Sequence, residues 1–222
     1  MRKYVKIMKK GDLSMMRSKN GFTLAEVLVT LGIIGVVSAM TVPTLMQNYQ
    51  RDSYTTQLHK VYNEVSQAML RVITESNAVS LRESNFSKNG AGWFLRTYFK
   101  TVKTCEYADL SSCFASDYQN MGGSSITLSN TVPNTSSCAV IASGASICMT
   151  TNVVVVDING KQGPNILGRD LFSFGIANDG TVDTSDAKTK ADSFSTKCSS
   201  ATSDYEGYCF AKILNDGWKM DY

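Results

Sequence analysis

Hydrophobic and polar positions follow three successive patterns along this chain of 222 residues. The first is an almost unbroken apolar run from Phe22 to Met46, in which Glu26 is the one charged residue. At about 1.5 Å per residue these 25 positions make roughly 37 Å of helix, enough to cross a bilayer. In the second pattern Tyr54, Leu58, Val61, Tyr62, Val65, Met69, Val72 and Ile73 recur at steps of three and four, the signature of a helix with one buried face. The two patterns adjoin, so they predict one long helix from about Phe22 to Ser76, ending between Glu75 and Ser80 and kinked at Pro43. Proline cannot donate the intrahelical hydrogen bond at that position.

The third pattern is short, apolar and β-branched or aromatic. Ala139–Ala142, Ile147–Thr151, Val153–Ile158 and Leu171–Ala177 are separated by Ser143-Gly144, by Asn152 and by the 159–169 loop, and they predict an antiparallel meander of about four strands. Between helix and meander, residues 77–90 read as a polar loop, Gly92–Val102 as a short aromatic-rich helix, and 103–137 as irregular chain. Trp93, Phe94, Tyr98 and Phe99 read as core aromatics rather than a ligand site. Beyond 178 the chain reads as surface loops, with Tyr208–Leu214 as one further strand. The fold class is α+β, a long kinked N-terminal helix with a membrane half and an amphipathic half packed on a small antiparallel sheet.

Charge changes this picture, because it is unevenly placed. Residues 1–21 carry seven Lys or Arg against Asp12, a net of +6; the other 201 carry 15 against 18, a net of −3. A basic head before an apolar span puts the head in the cytoplasm and residues 47–222 outside. The overall +3 therefore predicts topology, and no nucleic-acid partner is expected. All six cysteines lie on the outside part, and none forms a C-x-x-C pair, which argues for disulfides in an oxidising compartment rather than zinc. Six cysteines allow fifteen pairings. The most economical set joins Cys105 to Cys113, Cys138 to Cys148 across the Ser143-Gly144 turn, and Cys198 to Cys209. One histidine, His59, leaves no room for a multi-histidine metal site, and no nucleophile–base arrangement is visible, so the chain does not read as an enzyme.

Three kinds of signal compete for the apolar run. An ordinary secretory signal would be cut near Val37-Ser38-Ala39, and a plain anchor would not be cut. Neither has a use for Glu26, whose carboxylate costs about 2.5–3.5 kcal/mol near the centre of a membrane helix and less toward an end. The third reading rests on Lys19-Asn20-Gly21-Phe22-Thr23-Leu24-Ala25-Glu26, which resembles the signal of type IV pilins and type II secretion pseudopilins. The resemblance is specific over residues 19–46 and architectural over the rest. It implies that an inner-membrane prepilin peptidase cuts between Gly21 and Phe22 and methylates the new amino terminus of Phe22. It further implies that Glu26 is the family's assembly carboxylate, that Pro43 bends the helix as it leaves the membrane, and that Gly32 and Gly35 lie on a small-residue packing surface. A start at Met15 or Met16 instead of Met1 would shorten the leader to about M-R-S-K-N-G.

The chemistry agrees with that implication. Cleavage creates a positive amine on Phe22, which in a core of packed apolar helices needs a counter-charge, and Glu26 of a neighbouring subunit can supply one. A bland alternative leaves Glu26 among lipid headgroups. The domains expected are a basic leader (1–21), a transmembrane or filament-core helix (22–46) and an extracytoplasmic pilin-like domain (47–222). The partners expected are other pilin or pseudopilin subunits, the prepilin peptidase and N-methyltransferase, the inner membrane and its assembly platform. Other functional classes stay open at this point: an anchored periplasmic binding domain that never polymerises, and, ranked last, a secreted enzyme.

One loop has the oxygen-rich composition of a calcium site. Asp157, Asn159 and Asp170 flank or follow the stretch D-I-N-G-K-Q-G-P-N, which loosely resembles calcium loops of major pseudopilins. It lacks the acidic twelfth ligand of an EF-hand, and Asn-Gly between strands is equally a turn signal. No other cofactor is expected.

Overall fold

The computed structural model describes residues 21–183, 198 and 207–222. Most of the leader and the segment 184–197 lie outside the described residues, so the expected surface loops after 178 are only partly covered. The chain divides into two compact units, one ending at Leu45 and the other spanning Met46–Tyr222.

The first unit is the opening half of α1 (Leu24–Glu75). Every residue from Gly21 to Gln50 is exposed, including Leu28, Val29, Leu31, Ile33 and Ile34. The helix is long and apolar enough to cross a membrane. Helical conformation runs through Pro43, which leaves the Ala39 carbonyl without its usual amide donor.

In the second unit the other half of α1 becomes amphipathic, as its spacing predicts. Thr55, Leu58, Val61, Val65, Ala68, Met69 and Val72 form its buried stripe. After a short turn, Ser84 caps α2 (Asn85–Tyr98), its Oγ accepting from the Phe86 amide at 3.2 Å. This corrects the expected 77–90 loop and Gly92–Val102 helix. The helix starts earlier because Phe86 is buried against Phe94, and it breaks locally at Gly90, where φ is +78°. It stops at Tyr98 because the β-branched stretch that follows forms a strand instead, with Thr101, Lys103 and Thr104 paired and Val102 at an irregularity between them. Tyr98 donates to the Glu75 carboxylate at 2.7 Å and so ties α2 to the end of α1.

The main sheet has six antiparallel strands: β1 (Thr101–Cys105), β4 (Ser137–Ile141), β5 (Ser146–Met149), β6 (Val153–Asp157), β7 (Leu171–Ile176) and β8 (Val182–Asp183), neighbours in that order. The four predicted strands are its centre, and β1 and β8 are added edges. Residues 103–137, expected to be irregular, contain the end of β1, two 3₁₀ turns and a hairpin of β2 (Tyr118–Gln119) with β3 (Ser125–Ile126). Strands β5, β6 and β7 are buried on both faces. On one face Ile147, Met149, Val154, Val156, Phe172 and Phe174 meet α1, α2 and the C-terminal helix. On the other, Cys148, Val153, Val155 and Leu171 meet a layer built from Phe114, Tyr118, Leu128 and Val132. Double coverage explains why these strands read as continuous apolar runs and not as alternating ones. The molecule is α+β and pilin-like, a long helix packed against an antiparallel sheet.

Tyr208–Leu214 was expected as a strand and is instead helical, forming α3 (Tyr208–Asn215). A short apolar run does not distinguish the two by periodicity alone. Here Phe210 and Ile213, three residues apart, both face the core, and Lys212 pairs with Asp216 one turn on. Phe210 packs on Phe174 of β7 and on Trp218, which stacks on His59 at 4.0 Å. The one histidine thus serves as an aromatic contact. Disulfides join Cys105 to Cys113, Cys138 to Cys148 and Cys198 to Cys209.

Candidate functional site

The signal junction lies where irregular chain becomes helix. Gly21, Phe22 and Thr23 are non-helical and exposed, and nothing comes within 4 Å of the position a Gly21 side chain would occupy. Phe22 is 88% exposed. A peptide bond in this setting is open to a peptidase, since neither helical hydrogen bonds nor packing must be broken to reach it.

Glu26 has a local role that the sequence reading overlooked. Its Oε2 accepts from the Thr23 amide at 2.8 Å and from the Thr23 hydroxyl at 3.0 Å, while the Glu26 amide donates to Thr23 Oγ1 at 3.2 Å. This is a reciprocal capping box, which satisfies two amides that the first helical turn leaves unpaired. The T-x-x-E pattern at 23–26 was visible as a signal for it. The carboxylate therefore has partners within one chain, and it sits four residues from the amine that cleavage would create. Among the described residues nothing comes within 4 Å of where a Cβ on Gly32 or Gly35 would stand.

Beyond the junction, the apolar face of the first unit has no partner among the described residues. Phe22, Leu24, Leu31, Met40 and Leu45 each expose 60% or more of their surface. A water-soluble monomer rarely presents such a continuous surface, and this one suits lipid or other apolar helices.

The structure brings Asp157, Asn159 and Asp170 together beside the β6–β7 connection. Tyr118 donates its hydroxyl to Asp157 Oδ2, and the Asn159 amide donates to Oδ1 at 3.2 Å. The amides of Asn165 and Ile166 both reach the Asp170 carboxylate at 2.6 Å. Asn159 Nδ2 donates to the Gly163 carbonyl at 3.1 Å, while Asn159 Oδ1 and Asn165 Oδ1 are buried without a hydrogen-bond partner. Both carboxylates are fully buried. Burial pushes the Asp157 carboxyl up to about 8, against the opposing pull of the Tyr118 hydroxyl and the nearby amides, with the Asp170 charge adding to the rise. Burial likewise raises Asp170. Every carboxylate oxygen thus already receives a hydrogen bond from the chain, so the cluster holds the loop closed by itself. The two orphaned amide oxygens are the atoms through which it could also take a hard cation. Among the described residues, no group of three or more His, Cys, Asp or Glu side chains is placed to hold a metal ion. Tyr118 is the member that sequence reasoning missed: it lies 39 positions from Asp157, and no local pattern links them.

A family profile described as the prokaryotic N-terminal methylation motif matches residues 16–42. No curated protein and no solved structure matches the chain. The matched segment contains Gly21, Phe22 and Glu26 and ends one residue before Pro43. This chain carries a prepilin-type signal, the hallmark of type IV pilins and pseudopilins.

Proposed function

We propose that the chain is a non-enzymatic pilin-like subunit. It is held in the inner membrane by residues 22–46 with its C-terminal domain in the periplasm. Prepilin peptidase cuts it between Gly21 and Phe22 and methylates Phe22, and it assembles with other subunits on an inner-membrane platform into a type II secretion pseudopilus or type IV pilus. The observation that carries this reading is the coincidence of the methylation motif with an apolar helix that no other described residue covers. Such a helix can lie in lipid first and among identical helices afterwards, and the subunit then acts by shape and contact. An anchored binding domain would also need the helix but not the cut.

Mass spectrometry of the mature protein separates these readings. An N-methylated Phe22 start is expected; an intact leader would indicate a plain anchor, and a start near Met40 an ordinary secretory signal. The capping box sharpens a second test. In Glu26→Gln the side chain can still cap Thr23 but carries no charge, whereas Glu26→Ala does neither. If Glu26 pairs with the Phe22 amine of a neighbour, both variants should be processed and both should lose most filament yield. Wild-type yield in Glu26→Gln would reduce Glu26 to its capping role.

Calcium binding at Asp157, Asn159 and Asp170 is a subsidiary proposal, supported by the orphaned Asn159 and Asn165 oxygens beside two buried carboxyl groups. Millimolar calcium should raise the melting temperature of the wild type and not of Asp157→Asn. No thermal shift together with no heat in calorimetry would remove the idea.

A further inference from the structure

At the start of the second unit, one turn past the end of the apolar run, the surface carries a cavity of about 480 Å³. Gln47, Gln50 and Tyr54 of α1 line one side, and Met121, Ile166 and Arg169 line the other. Its polar groups are of one kind: two carboxamides, a phenol and a guanidinium, with no carboxylate among the lining side chains. Arg169 makes no ion pair among the described residues, and the neighbouring Asp170 carboxylate is already committed to the Asn165 and Ile166 amides. A guanidinium that lines a cavity without an ion pair suits an anionic oxygen from outside the chain.

Position decides which oxygen. Gln47 directly follows Met46, the last residue of the apolar run, and Tyr54 is eight positions further on, about 12 Å of helix. If residues 22–46 cross the bilayer, this part of α1 passes through the headgroup layer on the periplasmic side. Tyr49, 76% exposed, and Tyr54 fall where membrane proteins concentrate tyrosine. Guanidinium groups match phosphate oxygens in geometry as well as in charge. The carboxamides suit glycerol hydroxyls, and Met121 and Ile166 offer apolar walls to the carbons beside the phosphate.

We infer that this cavity binds the phosphodiester headgroup of an anionic phospholipid, with Arg169 and Gln50 as its main polar contacts. The inference rests on the membrane-anchored reading above and deepens it: the unassembled subunit is seated at a fixed depth and rotation by one lipid. Leaving the membrane for a filament would then require releasing that lipid.

The test uses the full chain purified from membranes in mild detergent. Native mass spectrometry should show one retained phosphatidylglycerol in the wild type, and short-chain phosphatidylglycerol should raise the melting temperature. Phosphatidylcholine of the same chain length should do so much less. Arg169→Gln should weaken retention by about tenfold or more, and Arg169→Lys should recover part of it. A variant whose disulfides and circular dichroism match the wild type excludes misfolding as the cause. Equal shifts from inorganic phosphate and from the lipid would identify a free anion as the ligand and overturn the lipid assignment. Retention indifferent to Arg169 would overturn the site. A membrane-held chain without bound lipid defeats this inference alone, whereas a chain that fractionates as soluble defeats the anchoring reading and this inference with it.

Discussion

At residue scale the most consequential group outside the signal is Asp157. Its carboxyl is buried and pushed from an ordinary value of 3.8 up to about 8, chiefly by loss of water. Between those values the folded chain keeps a proton that the unfolded chain releases. Stability from this group is therefore complete below about pH 4 and is lost as pH rises through 8. Asp170 is shifted in the same direction and adds to the slope. Chemical unfolding in detergent should show the wild type losing on the order of a few kcal/mol from mildly acidic to mildly alkaline buffer. Asp157→Asn keeps the shape without the titration and should flatten most of that decline, leaving the Asp170 share. An unchanged slope in the variant would mean that Asp157 is ionised in the folded state.

At the scale of elements, α3 depends on the glycine before it. Gly207 has φ of +75°, and a Cβ there would stand 2.7 Å from the Ser173 carbonyl oxygen of β7. Gly207→Ala should cost roughly 1–3 kcal/mol through left-handed strain and a forced shift of helix from sheet. The melting temperature should fall while the far-ultraviolet spectrum stays close to that of the wild type. The same element shows where sequence reading stops. The buried stripe of α1 was legible because its three-four spacing runs for more than five turns, and the four central strands because their runs are flanked by turn residues. Eight residues of α3 offer too few periods, and Phe210 packs on Phe174 and Tyr62, which lie elsewhere in the chain. Edge strands β1 and β8 were illegible for a related reason: Val102, Lys103 and Thr104 are exposed, so pairing with β4, not burial, makes β1 a strand.

At the scale of the whole molecule, the signal was legible because it is written in the order of neighbouring residues, and the matched motif at 16–42 contains Gly21, Phe22 and Glu26. The Tyr118–Asp157 contact and the cavity beside Arg169 were not, because each joins segments more than thirty residues apart. Removal of residues 1–21 takes a net +6 from a chain of +3 and leaves −3. Isoelectric focusing should accordingly place the precursor, isolated from cells lacking the peptidase, near 8.5 and the processed subunit on the acidic side of neutral. Focusing of both forms at the same position would mean that the leader is retained.

Cys105, Cys138 and Cys148 stand abreast on β1, β4 and β5, each directly opposite the next. Once the sheet has formed, Cys138 therefore has a cysteine opposite it on each side, and strand register alone does not choose between them. Timing can. Each observed bridge joins a cysteine to the next one in the chain, eight, ten or eleven positions on. If the chain is threaded outward from its anchor, as proposed above, these pairs emerge one after another, and oxidation of each as it emerges reaches the native set without reshuffling. Cys113→Ser removes that protection: the Cys105 thiolate can attack the Cys138 sulfur, form the Cys105–Cys138 bond and release Cys148 as a thiolate. Peptide mapping of this variant should recover both bridges of Cys138, and recovery of Cys138–Cys148 alone would show that the sheet holds its neighbours apart. The straight row of cysteines thus makes the bonding of this domain depend on the order in which its cysteines meet an oxidant.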